Sequence, residues 1–200
     1  MIDVKWIVPT SAVGGPTNGL VGRIDLGLDP DLLATAADAL LMRHPLIFDQ
    51  TRQLALQVRP GSHDPWYESC YQEKDIAPET EYSELNPELR GTYFEEAFDS
   101  FPFPLFRARL LALDARTCYS VHRDDTARLH VAIKTSEHAP FVFVERNEVF
   151  RVPADGNAYL LDTTEVHTAM NGARELRLHL VAGAAWDAMA MTDELGGQSN

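Results

Sequence analysis

His122 and Asp124 stand two apart in Val121-His122-Arg123-Asp124, and a second histidine, His167, follows 43 residues after Asp124. Two imidazoles and one carboxylate are a donor set for a divalent first-row metal that leaves the opposite positions open to small molecules. On a strand, residues two apart share a face; on a bend, two short side chains still converge on one point. Asp125 is a rival carboxylate, but it stands three from His122 and fits less well. Ten residues past His167 comes Arg177, inside the apolar run Leu176-Arg177-Leu178-His179-Leu180-Val181. A buried guanidinium is costly unless it meets an anion. Arg177 therefore reads as the holder of a carboxylate; its ordinary alternative is an ion pair with one of the chain's 30 acidic residues. For His122 and Asp124 alone, the ordinary alternative is a surface turn.

The elements that must position these residues lie in the second half of the chain. From Leu105 short apolar or alternating runs follow one another: Phe106–Leu113, Cys118–Val121, Arg128–Lys134, Phe141–Glu145, Val149–Val152, Ala158–Leu161, His167–Asn171 and Leu176–Ala182. Turn signals such as Pro153-Ala154-Asp155-Gly156-Asn157 and Asn171-Gly172 separate several of them. Many closely spaced strands predict an antiparallel sandwich or barrel, whose open mouth suits a small-molecule site. Arg128 and His130 share one face of their strand, and so do Arg177 and His179.

The first half is mixed. Thr17–Leu28 alternates weakly and predicts a strand. Asp29-Pro30-Asp31 predicts a helix start, with Asp29 as N-cap and Pro30 at the first helical position. Leu32, Leu33, Ala36, Ala37, Leu40 and Leu41 continue it to about His44-Pro45. Leu54–Val58 predicts a strand, residues 62–85 a long loop with Trp66, Tyr67, Tyr71 and Tyr82, and Asn86-Pro87-Glu88 a second helix through Phe98. Long loops often serve as lids or binding loops, so Trp66 and Tyr71 are candidates for substrate contact. His44, His63 and His138 read as surface residues, Tyr119 and Tyr159 as core.

Two hundred residues suit one domain: a mixed N-terminal part (1–104), a β core with the metal site (105–182) and a tail (183–200), frayed from Thr192. The formal net charge of −13 argues against a nucleic-acid partner, which needs a basic face. No apolar run reaches the roughly 18 residues that span a bilayer, so no membrane partner is expected. The N-terminus lacks the charged and apolar regions of a signal peptide. Cys70 and Cys118 make neither a disulfide framework nor a zinc spacing, and a reducing cytoplasm is the expected location.

Taken together, Tyr119–Asp124, Arg128–Ile133, Val149–Pro153, Tyr159–Asp162, His167–Asn171 and Arg177–Val181 resemble the aspartyl/asparaginyl β-hydroxylase-like oxygenases, a group that includes bacterial free-proline hydroxylases. The resemblance covers roughly residues 105–182. It implies a double-stranded β-helix (a jelly roll, cupin-like) behind N-terminal helices, with iron(II), 2-oxoglutarate and molecular oxygen as cofactors. His122, Asp124 and His167 fall on the iron-ligand positions. Arg177 falls on the position that pairs with the distal carboxylate of 2-oxoglutarate, and Arg128 and His130 on an Arg-x-His pair that also contacts the cosubstrate. The aspartyl hydroxylases can lack the carboxylate ligand; this chain has one, which is more like the free-amino-acid hydroxylases. The implied reaction is hydroxylation of an unactivated C–H of a small molecule, an amino acid or a derivative of one. Hydroxylation of a peptidyl residue and a non-catalytic, cupin-like metal or small-acid sensor are the competing readings. Specificity is expected in residues 9–20 and 60–85.

Overall fold

The structure is a computed structural model that describes residues 5–6, 19–47, 52–71 and 76–184. In chain order its elements are β1 (Lys5–Trp6), β2 (Val21–Ile24), α1 (Pro30–Leu41), β3 (Arg52–Ala55), β4 (Gln57–Val58), β5 (Glu84–Leu85) and α2 (Tyr93–Asp99). Eight strands follow: β6 (Leu105–Leu113), β7 (Thr117–Cys118), β8 (Arg128–Lys134), β9 (Phe141–Phe143), β10 (Glu148–Phe150), β11 (Ala158–Leu161), β12 (His167–Asn171) and β13 (Arg177–Ala184). From β6 onward the path alternates between two sheets, apart from the β9–β10 hairpin. The larger sheet has the order β2-β11-β8-β13-β6-β3, and the smaller β1-β10-β9-β12-β7. This alternation is the expected double-stranded β-helix.

Strand periodicity decides what each face of the larger sheet carries. On β6, β8 and β13 the even–odd rule sends Ala108, Leu110, Ala112, Leu129, Val131, Ile133, Leu178, Leu180 and Ala182 outward. There they pack under α1 and α2 against Leu33, Ala37, Leu40, Phe94 and Ala97. The alternate residues, Arg128, His130, Arg177, His179 and Val181, point between the sheets. Beyond them lies a second apolar cluster of Val21, Leu113, Ala132, Phe141, Phe143, Phe150, Tyr159, Leu161 and Ala169.

The helix predicted at Asp29 forms as its cap chemistry dictates. The Asp29 carboxylate accepts from the Asp31 and Leu32 amides at 2.9 and 3.1 Å, and Pro30 opens the first turn. The second predicted helix is two elements. A 3-10 turn spans Pro87–Leu89, and α2 starts anew at Tyr93 with Thr92 as N-cap. Gly91, at φ +72°, takes a left-handed conformation that breaks the helix.

Other strands are shorter than predicted. Of Thr17–Leu28 only Val21–Ile24 is strand among the described residues, and Leu54–Val58 divides at Leu56 into β3 and β4. The predicted Cys118–Val121 strand ends at Cys118; beyond it the Tyr119 amide still donates to the Ala169 carbonyl of β12 at 3.0 Å, and a single bridge, His122–His167, follows. Residues 62–85 are not structureless: Glu68–Cys70 and Glu79–Glu81 are 3-10 turns, and Glu84–Leu85 pairs with β4. Residues 7–18 and the tail from 185 lie outside the described residues, so the expectations placed there stay open.

Candidate active site

His122, Asp124 and His167 meet at the open end between the sheets. One ligand atom from each lies within 4.8 Å of the other two. His122 Nε2 is 3.8 Å from Asp124 Oδ1, and His167 Nε2 is 4.0 Å from Asp124 Oδ2. Backbone bonds set this up. His122 and His167 exchange amide-to-carbonyl bonds of 3.0 and 2.9 Å, and the Asp124 amide donates to the Thr163 carbonyl at 2.9 Å. The bend at 122–124, rather than a regular strand, turns both short side chains to one point.

The two rings are also held by their far nitrogens. His122 Nδ1 donates to the Ser120 carbonyl at 2.7 Å, and His167 Nδ1 to the Glu165 carbonyl at 2.9 Å. With Nδ1 as donor, it is Nε2 that each ring turns toward Asp124, the nitrogen a metal ligand would offer. Phe141 stacks on His167, centroids 4.9 Å apart at 16°. Burial holds the His167 ring below the ordinary imidazole range, and His122 beside it pushes the same way. Two imidazoles with their Nε2 atoms turned toward a carboxylate fit a cation by their chemistry.

Arg177 is 1% exposed, and its Nε and Nη1 have no hydrogen-bond partner. Its Nη2 donates to His179 Nδ1 at 3.2 Å. That contact makes His179 Nδ1 an acceptor and leaves its proton on Nε2, which is buried without a partner. His130 Nδ1 lies 3.4 Å from His179 Nδ1. Burial first, then the Arg177 charge, drives His130 and His179 well below the usual range, so both are neutral near pH 7. Desolvation lowers Arg177 itself to about 10, which still leaves it charged. No carboxylate of the described residues meets it, so the ordinary ion-pair alternative finds no partner there.

Arg128, expected beside the cosubstrate, lines the same cavity as the triad and is held there by two carboxylates. Its Nη1 contacts both Glu79 oxygens at 2.6 Å, and its Nε lies 3.5 Å from Asp124 Oδ2. It links a carboxylate of the 76–85 segment to the carboxylate of the triad. Gly183 makes room for this: a Cβ there would stand 3.1 Å from the Glu79 carboxylate.

These groups line one cavity of about 870 Å³, which includes His122, Asp124, Arg128, His130, His167 and Arg177. The same walls carry residues that sequence reasoning missed. Arg107 and Arg109, buried on β6, line the cavity, as do Gln53 and Tyr119. The signal was present: both arginines interrupt the apolar run Phe106–Leu113, as Arg177 interrupts its own. Tyr119, expected in the core, is a cavity residue. Its buried hydroxyl has no hydrogen-bond partner, and burial pushes it up to about 12.

Of the aromatic candidates, Tyr71 lines the cavity. Trp66 does not: it is buried, stacks on His44 at 3.9 Å and donates from Nε1 to Glu88 at 3.2 Å. His44 is thus packed rather than a free surface residue. Asn171 ties three carbonyls (Leu113, Asp114 and Glu175) with its Nδ2.

No family model matches the chain, and no curated protein matches it by sequence. Solved structures do match. A 2OG-Fe(II) oxygenase-family oxidoreductase from Burkholderia pseudomallei aligns with TM-score 0.55 and 13% identity, over 90% of this chain and 93% of that one. A viral collagen prolyl hydroxylase from Paramecium bursaria Chlorella virus-1 aligns at 0.46 and 14%, over 82% and 96%. A prolyl-4-hydroxylase from Pseudomonas putida aligns at 0.45 and 14%, over 82% and 91%. The first alignment, over 90% of the chain, shows that it shares the double-stranded β-helix fold of that oxidoreductase. Among the described residues, no helix is long and apolar enough to cross a membrane.

Proposed function

We propose that the protein is an iron(II)- and 2-oxoglutarate-dependent dioxygenase that hydroxylates an unactivated C–H bond of a small molecule, an amino acid or a derivative of one. The observation that carries this reading is the meeting, in one cavity, of an inward-facing His122-Asp124-His167 set with the buried, open guanidinium of Arg177. The three side chains would hold the iron. Arg177 would take the distal carboxylate of 2-oxoglutarate in a bidentate pair whose fork geometry a lysine cannot copy. When bound, the iron and cosubstrate supply the oxygen activation and the oxidising power.

The chain's own contribution is position and dryness. The Ser120 and Glu165 carbonyls fix the histidine rings, and Arg128 steadies the Asp124 carboxylate from outside. Neutral His130 and His179 add no competing charge beside Arg177. Phe141, Leu111, Ala169 and Val181 supply apolar wall, which excludes water and strengthens every charged contact. Asp124 itself fills the ligand position that a halide would need, so hydroxylation is favoured over halogenation. A protein that only binds a metal would need the metal site but has no use for an anion clamp beside it; a small-acid sensor would bind 2-oxoglutarate without turning it over.

The test is turnover. The purified protein with iron(II), oxygen and 2-oxoglutarate is assayed for succinate against a panel of free amino acids. Succinate should form only with iron and should rise with a true substrate. Asp124→Ala and His167→Ala should each lower the rate by at least about 100-fold. A protein that binds the metal yet converts no 2-oxoglutarate under any condition contradicts the reading.

A further inference from the structure

Four arginines line the cavity, and two of them are already engaged. Arg128 is held by Glu79 and Asp124. Arg107 donates from Nε to the Ser69 carbonyl at 2.8 Å and from Nη2 to the Tyr71 carbonyl at 3.1 Å. Arg177 and Arg109 remain without a carboxylate among the described residues. Arg109 is 8% exposed; its Nη1 donates to the neutral Gln53 Oε1 at 2.8 Å, and its Nε is buried with no partner. Desolvation, and then the Arg107 charge, lowers it to about 10, so it is a charged group in a costly place.

The sheet register keeps the two open arginines apart. Arg177 pairs with Leu113 and Arg109 pairs with Val181 across β13 and β6. Four residues of strand separate them, roughly 13 Å along the sheet. A 2-oxoglutarate whose keto-acid end is spent on the metal has one carboxylate left, and therefore satisfies one of the two. The other calls for a second anion. The cavity volume is ample for a second small molecule beside the cosubstrate.

We infer that Arg109, held in place by Gln53, is the binding site for a carboxylate of the substrate, so that the enzyme acts on small carboxylic acids. This rests on the oxygenase reading and on Arg177 as the cosubstrate clamp. One open fork beside a neutral amide matches a single-charged carboxylate better than a doubly charged phosphate. The carboxylate end would lie toward Arg109, Gln53 and Tyr71, and the bond to be oxidised toward His122 and His167.

The experiment uses the iron(II)-loaded protein, kept anaerobic with saturating 2-oxoglutarate, and calorimetric titration. The probes are small acids (amino acids, α-hydroxy acids and aromatic acids), each paired with its carboxamide. At least one acid should bind tenfold or more tighter than its carboxamide. That preference should vanish in Arg109→Gln and be only partly restored in Arg109→Lys, which keeps the charge but not the fork. Arg109→Gln should keep 2-oxoglutarate affinity within about threefold, while Arg177→Gln loses it. The melting temperature of metal-free Arg109→Gln should equal or exceed that of the parent, because a buried charge with no counter-ion is removed; a purely structural arginine would lower it. Three results overturn the inference: no acid preferred over its carboxamide, a preference that survives Arg109→Gln, or 2-oxoglutarate lost equally in both variants. Failure of the parent protein to bind 2-oxoglutarate at all is a different result, and it overturns the oxygenase reading on which this one stands.

Discussion

The two faces of the six-stranded sheet are built from the same strands, one residue out of step, and obey opposite rules. Outward, Leu110, Leu129, Val131, Ile133, Leu178 and Leu180 close on α1 and α2 with no polar atom to satisfy. Inward, Arg109, Arg128, His130, Arg177 and His179 are all buried, and burial lowers Arg109, His130, Arg177 and His179. The outer face supplies the stability that lets the inner face hold charge without partners. Buried polar groups left open in this way mark a place where something else binds.

The comparison breaks most sharply if a triad residue and a core leucine are exchanged for alanine. His167→Ala should weaken iron(II) binding by at least about 100-fold, read by metal titration, with little change in melting temperature. Leu180→Ala should do the reverse. It should cost about 2–5 kcal/mol in denaturant unfolding and leave metal affinity of the folded protein unchanged.

Next in size is Arg177→Gln. Two charge-assisted hydrogen bonds at about 1.5–3 kcal/mol each correspond to a loss of roughly 100-fold or more in 2-oxoglutarate affinity. Metal affinity should be kept, and the metal-free protein should be no less stable than the parent.

A smaller effect belongs to pH. His130 and His179 stay neutral when folded but take up protons near 6.5 when unfolded. The unfolded state therefore binds more protons below that pH, and stability falls on acidification. Each contributes up to about 1.4 kcal/mol per pH unit, so His179→Asn should flatten the acid limb of a stability–pH curve. Above pH 6.5 the two curves should run parallel. The smallest effect is expected from Glu79→Gln, which loosens Arg128 and through it Asp124. Iron affinity should fall about tenfold with the fold intact.

Much of this contrast was legible in residue order. Period-two alternation in Arg128–Lys134 and Arg177–Ala182 separates the two faces, and the Asp29-Pro30 cap fixes where α1 begins. The resemblance carried the β-helix and proposed the triad. What stayed hidden depends on contacts far apart in sequence. Glu79 reaches Arg128 across 49 residues, and nothing local in a polar segment marks it. The strand predicted at Cys118–Val121 was misplaced at both ends: its pairing with β12 runs through Thr117 and Cys118, a register that depends on Met170 and Asn171 about 50 residues away. Gly91 could have been read as a helix break, and Arg109 as a second open guanidinium; the rule applied to Arg177 covers Arg109 equally.

The central claim is that the inner face holds iron and 2-oxoglutarate together. Adding both anaerobically to metal-free protein and recording the visible spectrum tests it most directly. Chelated 2-oxoglutarate on ferrous iron should give a weak charge-transfer band at roughly 500 nm, absent in His167→Ala and, at the same 2-oxoglutarate concentration, in Arg177→Gln. Metal binding without that band in the parent protein would contradict the account and leave a metal-binding β-helix whose arginines serve another ligand.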